Sequence, residues 1–207
     1  MFNLLKIMLF SFFFLLNVNI SFAQDKNQFY GIVALGTVDY GITTADLQSL
    51  NTSLVNLGFS SSTSSTDNTG LYWKAHGGMN INEYLAVEGG YTSLGTLVVN
   101  TTLTGPAETV KTEITATAFE ISGLGKYTFN KNYGFIRLGI TSFDVDTKVT
   151  TTKGSATLPV SSGTGFTYGL GGHFTVGDKS GFRIEFQGYE LDSAEVSTFH
   201  VGYTLDF

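Results

Sequence analysis

The fold is decided by the last ten residues of the chain, T-F-H-V-G-Y-T-L-D-F, which run from Thr198 to Phe207. Large apolar side chains occupy every second position, and polar or small residues occupy the positions between them. A period of two places these two sets on opposite faces of a β-strand. A strand in a water-soluble sheet can show the same alternation. The rest of the chain therefore has to show whether the apolar face contacts a protein core or membrane lipid.

The other end of the chain has the layout of a secretory signal peptide. Lys6 precedes the apolar run of residues 7–16, and Ser21-Phe22-Ala23 comes directly before Gln24. This order of charge, apolar run and small residues is typical of a cleaved export signal. The run is too short for a transmembrane helix of about 20 residues. We therefore expect residues 1–23 to be a signal peptide and residues 24–207 to form one β-barrel domain.

Composition favours strands and disfavours several kinds of partner. The chain has 25 glycines, 18 phenylalanines, 10 tyrosines and only two prolines, which fits many strands joined by tight turns. It has no cysteine, so no disulfide can stabilise it after export. Its formal net charge is −6, and no basic stripe is present to neutralise phosphates. A nucleic-acid partner is therefore not expected.

Eight segments have the pattern of strands. They are residues 28–38, 70–79, 84–94, 114–129, 133–143, 164–176, 182–189 and 196–207. Each can supply the roughly 9–11 residues that a tilted membrane-spanning strand needs, although the seventh is the tightest fit. We therefore predict an all-β fold, an eight-stranded antiparallel up-and-down transmembrane β-barrel.

The predicted connections alternate between short and long. The short ones are residues 80–83, 130–132 and 177–180, and the long ones are residues 39–69, 96–113 and 144–163. Tight turns on one side and long loops on the other are typical of a barrel in the bacterial outer membrane. Hydrocarbon offers no partner to a free N–H, so the eighth strand should pair with the first. Side chains should fill the interior of so small a barrel.

Two motifs resemble a known family. Residues 73–78, W-K-A-H-G-G, with residues 84–95, Y-L-A-V-E-G-G-Y-T-S-L-G, resemble the second and third strands of small OmpA-like outer-membrane barrels. The ending resembles the C-terminal signal of outer-membrane barrels, carried here by Gly202, Tyr203, Leu205 and Phe207. The resemblance covers the barrel and not the periplasmic peptidoglycan-binding domain of OmpA, so it does not imply attachment to the cell wall.

The resemblance implies a location and a set of partners. It implies an integral protein of the Gram-negative outer membrane, surrounded by lipid and lipopolysaccharide and inserted by the barrel-assembly machinery through its C-terminal strand. It also implies a structural or adhesion-like recognition role, with an external ligand bound at the long loops. We expect no cofactor.

Alternation places several charged residues inside the barrel. We predict an interior network of Lys74, Glu88, Glu120, Lys126, Arg137, His173, Arg183 and Glu185, with Asp206 also facing inward. An unpaired charge in a narrow lumen costs several kcal/mol, so these groups should be paired. Across the turns, Lys74 can lie opposite Glu88, and His173 opposite Glu185. The network can act as a gate or as a plug that only fills the barrel, and we favour the plug.

Two alternative functions, a lipid-modifying enzyme and a soluble ligand-binding barrel, can be weighed against the residues that each would need. The three histidines, His76, His173 and His200, match no zinc pattern, so no metal site is expected. A lipid A-modifying barrel enzyme would need a serine beside a histidine at the outer rim, and here only Thr175 and Thr198 lie two residues from a histidine. We therefore predict that the protein is not an enzyme. A soluble lipocalin-like ligand-binding barrel is the second alternative, although the chain lacks an early Gly-x-Trp motif.

The first long loop contains a helical signal. Leu47, Leu50, Leu54 and Leu57 recur at spacings of three and four, Thr43 or Thr44 can cap the start, and Gly58 can end the helix. We predict a short helix that packs as a lid on the barrel mouth, because an exposed leucine stripe is a liability. Residues 60–66, rich in serine and threonine, should be mobile and solvated.

Overall fold

A computed structural model of the chain describes residues 29–67, 69–105, 107–191 and 194–207. The predicted signal peptide lies outside these ranges. The elements are β1 (Phe29–Asp39), α1 (Thr44–Asn56), β2 (Ser61–Asp67), β3 (Thr69–Asn80), β4 (Leu85–Thr104), β5 (Glu108–Phe129), β6 (Asn132–Thr151), β7 (Gly154–Thr157), β8 (Ser161–Thr175), β9 (Ser180–Leu191) and β10 (Ala194–Asp206). Among the described residues, no helix is long and apolar enough to cross a membrane.

Eight of the strands form a closed antiparallel ring. Its order is β1, β3, β4, β5, β6, β8, β9, β10 and back to β1. At the closing seam, Tyr30 lies opposite Asp206 and Val38 opposite Thr198. The N–H of Phe207 adds a hydrogen bond of 3.0 Å to the carbonyl of Phe29. The predicted eight-stranded barrel, closed by pairing the first strand with the last, is confirmed.

The outer surface of the ring is apolar on all sides. Large side chains such as Leu35, Ile136, Leu170 and Phe199 point away from the lumen, and each exposes more than half of its surface. A soluble protein rarely exposes so large a continuous apolar surface. This surface is the belt that a barrel presents to hydrocarbon.

The lumen has room for large side chains because glycines stand beside them. The contacts are Gly78 with Tyr30, Gly171 with Phe135 and Gly181 with His173, where an added Cβ would lie 2.3, 2.5 and 2.4 Å from ring atoms. A ring can lie flat across a neighbouring strand only where that strand has no side chain. Close packing of this kind explains the glycines within the strands.

Three neighbouring strands continue far beyond the ring. β4, β5 and β6 have 20, 22 and 20 residues, whereas β1 has 11 and β9 has 12. Beyond the ring, β2 pairs with β4 and β7 pairs with β6. We call this five-stranded extension the outer wall: β2, β7 and residues 96–104, 108–115 and 145–151. The wall is one continuous sheet, because its strands pair in the order β2, β4, β5, β6, β7. The β4–β5 register shifts once, between Ser93 and Thr96 at the base of the wall, and β5 and β6 pair without a shift.

The outer wall corrects the predicted loops. Residues 96–113 and 144–163 were expected to be long loops, and residues 60–66 to be mobile, but most of these residues form paired strands. Thr and Val are β-branched and favour extended backbone, so hairpins rich in them can continue outside the membrane. β4 therefore ends at Thr104 and β5 begins at Glu108, so no long loop separates these two strands. The short turns are close to the predicted positions.

Helix α1 forms where the sequence predicts it. The Thr43 hydroxyl accepts a hydrogen bond of 3.3 Å from the Asp46 N–H, and the Asp46 carboxylate accepts one of 2.8 Å from the Thr43 N–H. The hydrogen bond from the Thr43 hydroxyl also holds the pKa of Asp46 below its usual value. Gly58 has a φ of +105° just after the helix, as a C-terminal glycine should. The predicted helix and its cap are confirmed.

The position of α1 differs from the prediction. The helix packs against β2, where the hydroxyls of Ser62 and Ser64 each donate a hydrogen bond of 2.8 Å to the Asn51 side chain. No residue of the helix is buried, and Leu57 is 77% exposed just after it. A lid packed into the barrel mouth would bury its leucines, so the predicted lid is wrong. The helix instead belongs to the surface of the outer wall.

Candidate functional site

The centre of the lumen is organised around one guanidinium group. Arg137 of β6 donates from Nε to Glu185, from one terminal nitrogen to Glu88, and from the other to Glu120 at 3.1 Å. All four side chains are completely shielded from solvent. The guanidinium has five donors in a fixed plane, so one arginine can hold three carboxylates from three strands.

Two further cations balance the charge. Lys74 Nζ donates to a Glu185 carboxylate oxygen at 2.9 Å and to the side-chain amide oxygen Oε1 of Gln187 at 3.2 Å. Arg183 donates to Glu88 at 2.6 Å and to the Tyr133 hydroxyl at 3.1 Å. Lys74, Arg137 and Arg183 thus face Glu88, Glu120 and Glu185, with no net charge. We call these six residues the ion-pair network.

Neutral groups fill the remaining acceptor positions of the carboxylates. Tyr30 donates to Glu88 at 2.7 Å, and Tyr189 and Gln187 donate to Glu120 at 3.0 and 2.9 Å. His200 Nε2 lies 3.1 Å from Glu185. A buried network stabilises a fold only when its members are satisfied, and each of these carboxylates contacts at least three polar groups. The sequence analysis missed Tyr30, Gln187 and Tyr189, although all three occupy inward positions of the same alternation.

The predicted pairings of two residues are wrong. Lys74 lies opposite Thr92 in the ladder, not Glu88, and it reaches across the lumen to Glu185. His173 lies opposite Arg183, not Glu185, and its Nε2 is 2.8 Å from the Thr204 hydroxyl. The β3–β4 turn occupies residues 81–84, which shifts the register from the one assumed. In a barrel this narrow, moreover, the nearest partner can lie on the opposite wall.

Lys126 and Asp206 lie closer to the short turns. Both are half-buried, and the Lys126 ammonium donates to the Asn80 side chain at 2.7 Å. Within the described part of the chain, neither Lys126 nor His173 joins an ion pair. The structure therefore brings six of the eight predicted residues together in the ion-pair network. It places the other two, Lys126 and His173, closer to the edge of the lumen.

Apolar layers close the lumen on both sides of the ion-pair network. Toward the outer wall, the layer contains Val38, Leu94, Phe143, Leu191 and Val196. Toward the short turns, the layer contains Ile32, Ala86, Leu124 and Phe135, with Tyr30. Ions would have to cross both layers and then the paired charges. This arrangement fits a plug.

The lumen also holds two Thr–His–Glu chains. His200 contacts Glu185 and lies 3.5 Å from the Thr198 hydroxyl. His76 lies 3.0 Å from the Thr92 hydroxyl and 3.5 Å from Glu120. Every group in them is buried inside the lumen, so a lipid substrate has no path to them. In the described ranges, no three His, Cys, Asp or Glu side chains are placed to hold a metal ion.

The outer wall is the part of the molecule that extends beyond the ring and its apolar belt. Its inner face continues the lumenal face and carries apolar residues such as Leu97, Leu103 and Ile114, while its outer face carries polar residues such as Asn100 and Lys111. Hydrogen bonds from the Thr152 hydroxyl and N–H hold the pKa of Glu108 below its usual value. This contact ties the tip of β5 to the turn before β7.

The outer end of the molecule is acidic. The described residues there include Asp39, Asp46, Asp67, Glu108, Glu113, Asp144, Asp146, Glu190 and Glu195, against Lys111, Lys148 and Lys153. Nine carboxylates against three ammonium groups produce a negative potential around the wall. Such a potential favours cationic partners and slows the approach of anionic ones.

Residues 10–207 match the family model of the outer membrane protein beta-barrel domain. No curated protein matches the chain. Among solved structures, it resembles OprG of Pseudomonas aeruginosa (9% identity, 86% of this chain and 96% of that chain, TM-score 0.53). It also resembles the N-terminal β-barrel domain of Pseudomonas aeruginosa OprF (8%, 86% and 98%, 0.51) and neisserial surface protein A (10%, 86% and 97%, 0.50). At these identities the likeness concerns the fold alone.

The family match covers nearly the whole chain, and the ring, the apolar belt and the neighbouring structures agree with it. The predicted outer-membrane location is therefore confirmed, and the soluble lipocalin-like alternative is wrong. The chain belongs to the outer membrane protein beta-barrel domain family.

Proposed function

We propose that this outer-membrane β-barrel is a closed anchor that holds a rigid recognition surface, the outer wall with helix α1, outside the cell. The observation that carries the proposal is the contrast within β4, β5 and β6. Inside the ring these strands surround a filled lumen, and beyond it they continue as a paired sheet. An adhesion-like role then uses an ordered sheet surface and not mobile loops.

The filled lumen favours a closed barrel that serves as an anchor over a barrel that opens a pore. Opening a pore would separate buried ion pairs, and breaking one such pair costs about 3–5 kcal/mol. The apolar layers around Phe143 and Phe135 would also have to move apart. In planar bilayers the protein should therefore show no unitary conductance, and regular conductance steps would contradict the plug.

Export and insertion follow from the two ends of the chain. Residues 1–23 act as the signal peptide, and residues 24–207 form the mature domain. Gly202, Tyr203, Leu205 and Phe207 present the signal that the assembly machinery reads. Tyr203, Leu205 and Phe207 support this role, because they are exposed on the outer face of the closing strand. Outer-membrane lipid and lipopolysaccharide surround the belt.

The protein acts without a catalytic step. The two Thr–His–Glu chains would be the candidates for acyl transfer, but their hydroxyls lie inside the closed lumen. A lipid-modifying site would have to open toward the outer rim. Unchanged lipid A in cells with and without the protein, measured by mass spectrometry, is the expected result.

Removal of the outer wall tests the recognition role. Residues 40–68, 97–114 and 146–160 would each be replaced by a two-residue hairpin turn, which removes the wall together with α1 and leaves the pairs Asp39–Thr69, Thr96–Thr115 and Val145–Ser161 in place. We expect this variant to keep heat-modifiable gel migration, the mark of a folded barrel. Cells that carry it should lose the adhesion to surfaces that the intact protein confers. Unchanged adhesion by a folded variant would overturn the recognition role.

A further inference from the structure

The outward face of the ring carries a groove that the plug and the wall do not explain. It has a volume of about 660 Å³ and runs across β5, β6 and β8 to β9. Its apolar walls are Phe119, Ile121, Ile140 and Phe166, and Ser142, Thr164 and Glu190 lie at its polar end. Ligand sites commonly have volumes of about 300–1,000 Å³. The groove is on the half of the ring nearer the outer wall, and therefore in the outer leaflet.

Glu190 is an unusual residue for this position. Its side chain is exposed at the end of an apolar surface, and in the described part of the structure its carboxylate makes no hydrogen bond or ion pair. Glu195 lies directly opposite it on β10. Like charges placed opposite each other destabilise a sheet, and a carboxylate at a lipid-facing position is costly.

The two carboxylates differ in their partners. Tyr168 lies across Gly188, where an added Cβ would be 2.5 Å from its ring, and its hydroxyl donates to Glu195 at 2.6 Å. Among the described residues, no side chain donates a hydrogen bond to the Glu190 carboxylate in the same way. The polar end of the groove therefore carries an uncompensated negative charge.

We propose that the groove binds one acyl chain of an outer-leaflet lipid whose headgroup carries an ammonium group, and that this group pairs with Glu190. The occupant is a lipid because the groove is continuous with the belt that lipid already covers. The headgroup is cationic because it meets Glu190, Glu195 and the acidic outer end of the molecule. The lipid site depends on the membrane location alone, so it can fail while the recognition role of the wall stands.

Lipid binding to the purified mature protein tests the proposal. Delipidated protein in detergent would be titrated with phosphatidylethanolamine or with phosphatidylglycerol of the same acyl chains, and bound lipid counted by native mass spectrometry. We expect about a two- to fivefold preference for phosphatidylethanolamine, the range that one exposed ion pair supports. Equal binding of the two lipids would overturn the ammonium assignment.

Three variants locate the binding site. Ile140→Trp fills the groove and should abolish the preferred binding, whereas Leu138→Trp, on the same face of β6 but outside the groove, should leave it intact. Glu190→Gln should remove the preference, so that phosphatidylethanolamine and phosphatidylglycerol bind about equally. Heat-modifiable migration would verify that each variant is folded. Equal effects of the two tryptophan variants, or no effect of Glu190→Gln, would contradict the site.

Discussion

The same strands have opposite polarity in two regions of the molecule, the ring and the outer wall. Within the ring, the outward side chains of β5 are apolar, as at Phe119 and Ile121, and the inward Glu120 is charged. Beyond the ring, the outward Lys111 and Glu113 are charged. Because β5 and β6 pair without a register shift, the faces do not exchange sides. Only the chemistry of each face changes.

β6 shows the same inversion. Ile136, Leu138 and Ile140 point outward in the ring, and the outward positions beyond them are Ser142 and Asp144. The inward side changes from Arg137 in the ring to Val145 and Val149 in the wall. In the ring the medium outside is hydrocarbon, which excludes charge, whereas the wall stands in water and buries its own apolar side. The inversion therefore marks the outer boundary of the membrane.

The largest expected effect is the loss of the central cation of the ring. Arg137→Met leaves three buried carboxylates with two cations, and removing one member of a buried ion pair costs about 3–5 kcal/mol. The urea midpoint of the detergent-folded barrel should fall sharply. Lys111→Met in the wall removes an exposed pair with Glu113 and should change the midpoint little, because such pairs contribute about 0–1 kcal/mol. Similar shifts of the urea midpoint in both variants would contradict the difference between buried ion pairs in the ring and exposed ones in the wall.

The second-largest expected effect is the difference in stability cost between a lysine on the outward face of the ring and one on the outward face of the wall. Leu138→Lys inserts a charge into the belt, where a lysine near the middle of the bilayer costs about 2–4 kcal/mol. Thr109→Lys places the same charge on the outward face of the wall and should have almost no cost. Unfolding in lipid vesicles measures both, and a well-tolerated Leu138→Lys would mean that the belt does not face hydrocarbon.

Two adjacent glycines of β3 offer a smaller and sharper test of lumen packing. Gly78→Ala places a methyl group against the Tyr30 ring, whereas a Cβ at Gly77 meets no atom within 4 Å. Overpacking of a filled interior costs about 1–3 kcal/mol. Gly78→Ala should therefore lower stability in urea unfolding and Gly77→Ala should not. Equal stabilities would show that the lumen has free space around Tyr30.

The smallest expected effect is a pH dependence at the wall tip. The pKa of Glu108 is lowered by its hydrogen bonds from Thr152, so the contact stabilises the tip above the ordinary glutamate pKa and is lost as pH falls through the lower folded value. Hydrogen-exchange protection at Thr152 should fall in acid while the ring stays protected. Glu108→Gln should remove this pH dependence, and a wild-type tip whose protection does not change with pH would contradict the contact.

The sequence was sufficient for the ring and for the members of the ion-pair network, but not for the wall or for the pairings within the network. The alternation in residues 198–207 and the glycine- and asparagine-rich turns identify the ring strands, because one buried and one lipid-facing side impose a period of two. Residues such as Ser61–Asp67 resemble a loop, since both faces are polar there and no apolar alternation remains. The partners of Lys74 and Arg137 could not be read from strand spacing, because they lie across the lumen and not across a turn.

Water accessibility along β5 tests the central claim most directly. The protein has no cysteine, so single cysteines can be placed at positions 109, 111, 113, 119 and 121 and exposed to a water-soluble maleimide in intact vesicles. We predict rapid labelling at positions 109, 111 and 113, and protection from the maleimide with quenching by lipid-phase reagents at positions 119 and 121. Equal labelling at all five positions would contradict a membrane boundary between Glu113 and Phe119, and with it the division of the molecule into ring and wall.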